Sequence, residues 1–275
     1  MSQTSESTAT PYCHHRHTDD FWRLGIRPGV NILINSSFRA IGTVEGGPAT
    51  VLAALRRELG PTATIVVPAQ TPTNSTTSAA HRRAVAGISP DEIADYQKRF
   101  LPFDPARTPS EGIGAVAEYL RQRPEAFRSS HPTSSFAALG PDAERLTAQH
   151  PLHSHLGPES PLGALAASEA QVLLLGVGFA ACTAFHLAEY HVRPQERVYC
   201  SKLSQTPPGT GQSSERWTEY RGTRLDASDF EQIGADLAAY EPGIRSGKVG
   251  SAPSWCFPLS TATRFAQRWM LHHRR

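Results

Sequence analysis

Three residues in one short segment, LGVGFAACTAFHLAEY at 175–190, carry side chains suited to nucleophilic attack or proton transfer: Cys182, His186 and Glu189. Their spacing of i, i+4 and i+7 puts all three on one face of a helix. A thiol, an imidazole and a carboxylate aligned in this way could line one side of a cleft. An imidazole of ordinary pKa, about 6.5, is mostly neutral at pH 7 and can take up a proton. A thiol one turn before it could act as an activated nucleophile. The same three residues can equally be a packed small hydrophobe, a histidine satisfied by a backbone carbonyl and a solvated carboxylate. Spacing alone leaves both readings open.

The elements that would hold these residues follow from the patterning around them. Val172 to Val177 is a continuous apolar run, as in a strand covered on both faces, and Thr183 to His191 behind it can form a helix. Upstream, Asn31 to Asn35 is β-prone. A helix opens at Gly46-Gly47-Pro48, carries Val51, Leu52, Leu55 and Leu59 on one stripe, and ends at Gly60. Thr64 to Val67 then reads as a second strand, and strand, helix, strand implies a parallel pair. Further helices are expected at Ile113–Gln122, Ala143–Gln149, Asp229–Tyr240 and Thr261–His272. The class is α/β, in which ligands bind at the carboxyl ends of the strands. Ala69–Ile88 and Tyr199–Ser214, rich in Thr, Ser, Pro and Gly, read as long functional loops.

Anion sites are less distinct. Gly176-Val-Gly178 lacks the third glycine of a dinucleotide fingerprint and any GK[ST]. Asn35-Ser36-Ser37-Phe38-Arg39 offers hydroxyls, backbone amides and a guanidinium after the first strand, or else is an ordinary turn.

Composition narrows the function classes. In 275 residues, 39% are apolar and 19% charged, with 27 Lys plus Arg against 25 Asp plus Glu. That balance suits a globular chain and argues against disorder, a membrane span or a nucleic-acid stripe. Residues 1–20 read as a flexible polar leader with no secretory h-region, and 21–275 as a single domain. Cys13-His14-His15-Arg16-His17 lacks the four spaced ligands of a structural zinc site, so no metal is expected. Cys13, Cys182, Cys200 and Cys256 form no CxxC pair, which fits a reducing cytoplasm. No nucleic-acid or membrane partner is expected, and the chain reads as a monomer or homodimer.

Several segments in order, ILINSSFRAIG, LGPTATIVVPAQTPTNS, FDPARTPSEGIG, SSHPTSSFAALGPDAE, HPLHSHLGPESPLGAL and VLLLGVGFAACTAFHLAEY, resemble the aminoglycoside 3-N-acetyltransferase family from about Phe21 onward. The resemblance implies a mixed, largely parallel central sheet with helices on both faces. It implies acetyl transfer from acetyl-CoA to an amine, in antibiotic resistance or antibiotic biosynthesis. His186 aligns with the histidine read as general base in the family's HLAE segment, and Glu189 would orient it or hold a substrate ammonium. Ser36, Ser37, Phe38 and Arg39 align with the loop that meets CoA. Thr108 and Ser110 lie in the segment before a helix whose N-terminus suits phosphate. Ser135 and Phe136 would flank the pantetheine arm, and Gln70, Cys182 and Glu189 would face the acceptor. Other readings keep the fold and use a different acyl thioester, even one on a carrier protein, close an amide within one molecule, or bind CoA without catalysis.

The sequence departs from the family in charge. HPLH has His153 where the family has an acid, Phe179-Ala180-Ala181 replaces an often acidic stretch, and Arg221-Gly-Thr-Arg224 follows Trp217-Thr-Glu-Tyr220. Each change removes negative or adds positive charge, so the acceptor is expected to be less cationic than an ordinary aminoglycoside.

Overall fold

The computed structural model describes residues 14–192, 194–205 and 214–274. Its strands are β1 Ile32–Ser36, β2 Ile65–Pro68, β3 Phe127–Arg128, β4 Phe136–Leu139, β5 Gln171–Leu175, β6 Glu196–Gln205, β7 Ser214–Thr223, β8 Arg245–Val249 and β9 Ala252–Pro258. Its first six helices are α1 His14–Arg23, α2 Phe38–Ile41, α3 Pro48–Leu59, α4 Ala79–Ala84, α5 Pro90–Lys98 and α6 Ala115–Arg121. The others are α7 Ala143–Thr147, α8 Pro161–Ala167, α9 His186–Glu189, α10 Phe230–Tyr240 and α11 Leu259–His273.

Side-chain alternation along the strands divides the core into two layers. Ile32, Ile34, Ile65, Val67, Leu173 and Leu175 face a layer shared with Val51 and Leu55 of α3 and Leu120 of α6. Leu33, Val66, Val172 and Leu174, one position out of step, face a layer shared with α7, α8, α10 and α11. Period-2 alternation with both faces apolar gives the unbroken hydrophobic runs seen in the sequence.

The strands are ordered β3-β4-β2-β1-β5-β9-β8. β1 runs parallel to β2 and β5, while β4, β3, β9 and β8 add antiparallel ladders on the two flanks. The sheet is thus mixed, with the parallel part confined to its centre, narrower than the largely parallel sheet expected. Because β1, β2 and β5 point the same way, their carboxyl ends open on one edge.

Three expectations change. Residues 14–20 belong to α1 rather than to a leader, because Phe21 is fully buried and the Asp20 carboxylate accepts from Gly250 N at 3.0 Å. Residues 1–13, with Cys13, lie outside the described residues. Tyr199–Gln205 is strand, since β6 and β7 pair antiparallel from Glu196↔Thr223 to Gln205↔Ser214, while residues 206–213 lie outside the described residues. Many polar and charged residues on this ribbon hid its alternation. Finally, Ala69–Ile88 contains a 3-10 turn at Pro72–Asn74 and α4. No helix among the described residues is long and apolar enough to cross a membrane.

Candidate active site

The open sheet edge gathers Asn35 and Ser36 from β1, Gln70 beyond β2 and Val177 beyond β5 around a cavity of about 270 Å³. After β5 the chain reverses at Gly176, whose φ of +68° and position suit only glycine: a Cβ there would lie 2.6 Å from Ala40 Cβ. Two 3-10 turns follow, Phe179–Ala181 and Thr183–Phe185, and α9 begins at His186. The side chain of Asn35 donates to Thr183 Oγ1 at 2.7 Å, tying the end of β1 to the turn that carries the histidine.

This path breaks the helix expected through Cys182, His186 and Glu189. Cys182 sits between the two turns with ψ of 90°, so the helical spacing does not hold across it. Its thiol is fully buried, and burial pushes it up to about 12. A thiol held neutral so far above neutral pH is not an activated nucleophile.

His186 and Glu189 do meet. The ring Nδ1 lies 2.6 Å from Glu189 Oε2. A carboxylate only accepts, so Nδ1 carries hydrogen and Nε2 keeps the lone pair of the neutral ring. Phe230 covers the ring at a centroid separation of 4.6 Å. Glu189, 4% exposed, is filled on its other oxygen by Asp226 N at 2.9 Å and Arg274 Nη1 at 2.5 Å. Arg274 in turn grips both carboxylate oxygens of Asp229 at 2.6 and 2.7 Å. With both oxygens occupied, Glu189 borders a separate cavity with Arg224, Asp226 and Arg274 and not those that His186 lines, against the expectation that it faces the acceptor.

His186 and Gln70 line a second cavity too, of about 300 Å³, walled by α4 and β6. The first cavity continues past Ser36, Gly112 and Val177 into a wider cleft of about 920 Å³ that includes Ser37, Phe38 and Arg39. Asn35 Oδ1 and Ser36 Oγ are buried here without hydrogen-bond partners among the described residues. Unfilled polar atoms at the floor of a cleft match a ligand that brings its own amides and carbonyls.

Other expected contacts lie elsewhere. Thr108 Oγ1 accepts from Asp104 N at 2.9 Å, and Thr108 borders a groove with Tyr96 and Phe100. Ser110 gives its hydroxyl to Glu118, and Gly112 and Gly114 are the residues of that segment that reach the cleft. Ser135 is fully buried and donates to Ala69 O at 2.7 Å. Phe136 is fully buried core. Of the charge departures, Ala180 and Ala181 line the first cavity, whereas His153 pairs with Glu159 at 2.5 Å and Arg221 with Glu196 at 2.8 Å, both in solvent. Sequence reasoning missed Arg82, Arg197, His155 and Tyr199, which line the second cavity. The only signal for them was the pairing of distant segments.

An imidazole thus stands at the wall between two cavities, on the strand-end edge of an α/β sheet. The model for the aminoglycoside 3-N-acetyltransferase family matches residues 33–271, and the chain belongs to that family. It is 34% identical to the SPbeta prophage-derived aminoglycoside N(3')-acetyltransferase-like protein YokD of Bacillus subtilis, over 99% of this chain and 97% of that one. The crystal structure of YokD superposes with a TM-score of 0.88, covering 98% of this chain and 96% of that chain. Aminoglycoside N(3)-acetyltransferase III of Pseudomonas aeruginosa is 34% identical over 94% of both chains. AAC-IIIb, solved as a binary complex with CoASH, is 27% identical with a TM-score of 0.80 over 95% of this chain and 97% of that one. The protein is an N-acetyltransferase with acetyl-CoA as acyl donor.

Proposed function

We propose that the protein transfers the acetyl group of acetyl-CoA to an amine of an aminoglycoside-like or related natural-product acceptor, with His186 as general base. The observation that carries this reading is that one imidazole borders both cavities while Glu189 fixes its tautomer. Acetyl-CoA would lie along Ser37, Phe38 and Arg39 with its thioester near Ser36, and the acceptor would enter from the α4 and β6 side. The names of the relatives, aminoglycoside N(3)-acetyltransferases, support an amino sugar as acceptor.

The chemistry follows from the groups present. An ammonium has no lone pair, so it first gives one proton to solvent and attacks as the neutral amine. In this reading the nitrogen–carbon bond forms at the thioester carbonyl and His186 Nε2 takes the second proton, the one the nitrogen must shed to become an amide. The carbon–sulfur bond then breaks, and the departing thiolate receives that proton. Glu189 acts as a positioning residue: its carboxylate stabilises the imidazolium as it forms, and Arg274 and Asp226 N hold it in place. Direct transfer between two bound substrates needs no acyl-enzyme, which agrees with the buried thiol of Cys182. Thiol release from acetyl-CoA with a panel of amines, together with mass spectrometry of the products, tests the reading. A gain of one acetyl on an amine nitrogen is expected, and acetyl-CoA hydrolysis with no acylated amine would refute it.

A further inference from the structure

The cavity on the α4 and β6 side of His186 is lined by two arginines, Arg82 and Arg197, and by no carboxylate among the described residues. Both guanidinium groups donate to one oxygen, the main-chain carbonyl of Thr77, Arg197 at 2.7 Å. Neither has an ion-pair partner among the described residues. A carbonyl oxygen carries only a partial charge, so two full positive charges brought onto it repel each other uncompensated. Each guanidinium has five N–H donors, and most of these have no acceptor among the described residues. Arg197 is further fixed 5.2 Å above the ring of Tyr199, another residue of the wall.

Among the described residues, the surroundings do not supply the missing negative charge. Glu111, near Gln70 in the chain fold, spends its carboxylate on Thr73 N at 3.1 Å and on the Thr73 hydroxyl. Glu189 is consumed by His186, Asp226 N and Arg274. The segment joining β6 to β7, residues 206–213, contains no acidic residue. The neighbouring His155 is pushed down to about 3, chiefly by burial and in part by His150 and by Arg197. A cavity of this sign repels a polycation and attracts an anion.

Resting on the acetyltransferase reading above, we propose that Arg82 and Arg197 form an anion subsite, and that the acceptor is an amine bearing a phosphate ester or a carboxylate. The guanidinium pair would grip the oxyanion through charge-assisted, forked hydrogen bonds while the amine is presented to His186. Bond making and breaking are those already described, since the anion is a handle that takes no part in the transfer.

The test uses protein saturated with CoA, so that phosphate sites on the donor side are already filled. Calorimetric titration compares glucosamine, glucosamine 6-phosphate, the corresponding amino uronate and a kanamycin-type polycation, with wild type, R82Q and R197Q. The phosphate or carboxylate sugar is expected to bind at least about tenfold tighter than glucosamine, and either substitution is expected to remove most of that advantage. Which of the two anionic sugars binds better identifies the oxyanion. Unchanged CoA affinity in a separate titration of each CoA-free variant shows that R82Q and R197Q are folded. The proposal is overturned if the polycation binds best, if no anionic sugar binds more tightly than glucosamine, or if the preference survives both substitutions. Loss of CoA binding by wild type would instead refute the acetyltransferase reading itself.

Discussion

His186 Nδ1 and Glu189 Oε2 lie 2.6 Å apart across a single turn of helix, with the carboxylate itself held from behind by Arg274. In the proposed reaction the pair works as a unit, because a carboxylate left to rotate would not fix which nitrogen keeps the lone pair. His186→Ala is expected to lower kcat/KM by roughly 10²–10⁴-fold, the usual loss for a general base. Glu189→Gln keeps the shape but removes the charge. It should lower kcat more than it raises KM. An unchanged kcat would assign Glu189 to packing alone.

Cys182 provides a control on the same segment. With its thiol buried and pushed up to about 12, Cys182→Ser should leave kcat within a few-fold of wild type, apart from a modest stability cost for placing a hydroxyl in an apolar site. Rapid-quench mass spectrometry should detect no acetylated protein before product appears.

On the donor side, Arg39 lines the wide cleft with Ser37 and Phe38 and has no ion pair among the described residues. If it meets a phosphate of the donor, Arg39→Ala should raise KM for acetyl-CoA by about tenfold with little change in kcat, the value of one charge-assisted contact. A fall in kcat at unchanged KM would exclude that role.

Three buried histidines set an acid limit on stability. Burial drives His150 down to about 4 and His155 to about 3, and His131 is lowered by burial and by both neighbours. Between pH 6.5 and these values the unfolded chain binds protons that the folded chain refuses. Stability is therefore fully present above about 6.5 and lost as pH falls toward 3–4. Thermal denaturation should give a plateau in Tm above neutrality and a steep decline below pH 6. His155→Gln should make that decline shallower even if it lowers the plateau.

Much of the scaffold was legible because it is local. The helix over Pro48–Leu59 starts at its proline and ends before Gly60, and the strands at Ile32 and Ile65 flank it as the alternation implied. The β6–β7 ribbon was not legible, since a two-stranded element with charges on it lacks a buried face to write an apolar rhythm. The site divided along the same line. His186 and Glu189 sit one turn apart, so spacing allowed their pairing but left open whether the carboxylate orients the ring or holds a substrate ammonium. Cys182 could not, because Phe179 is drawn into the core against Trp255 and Phe257 and the chain cannot enter a regular helix until it has passed that anchor. Arg82 and Arg197 are far apart in sequence and meet only through the carbonyl of Thr77.

The grip of Arg274 on Glu189 joins residues 85 positions apart and places the last anchor of the imidazole just beyond the final helix. Any truncation, tag or protease nick that frees this stretch would detune the reactive ring from outside while leaving both cavities intact. Preparations that differ only in how the polypeptide is trimmed there should therefore differ in turnover, and in melting temperature wherever the buried Glu189 carboxylate has lost its guanidinium.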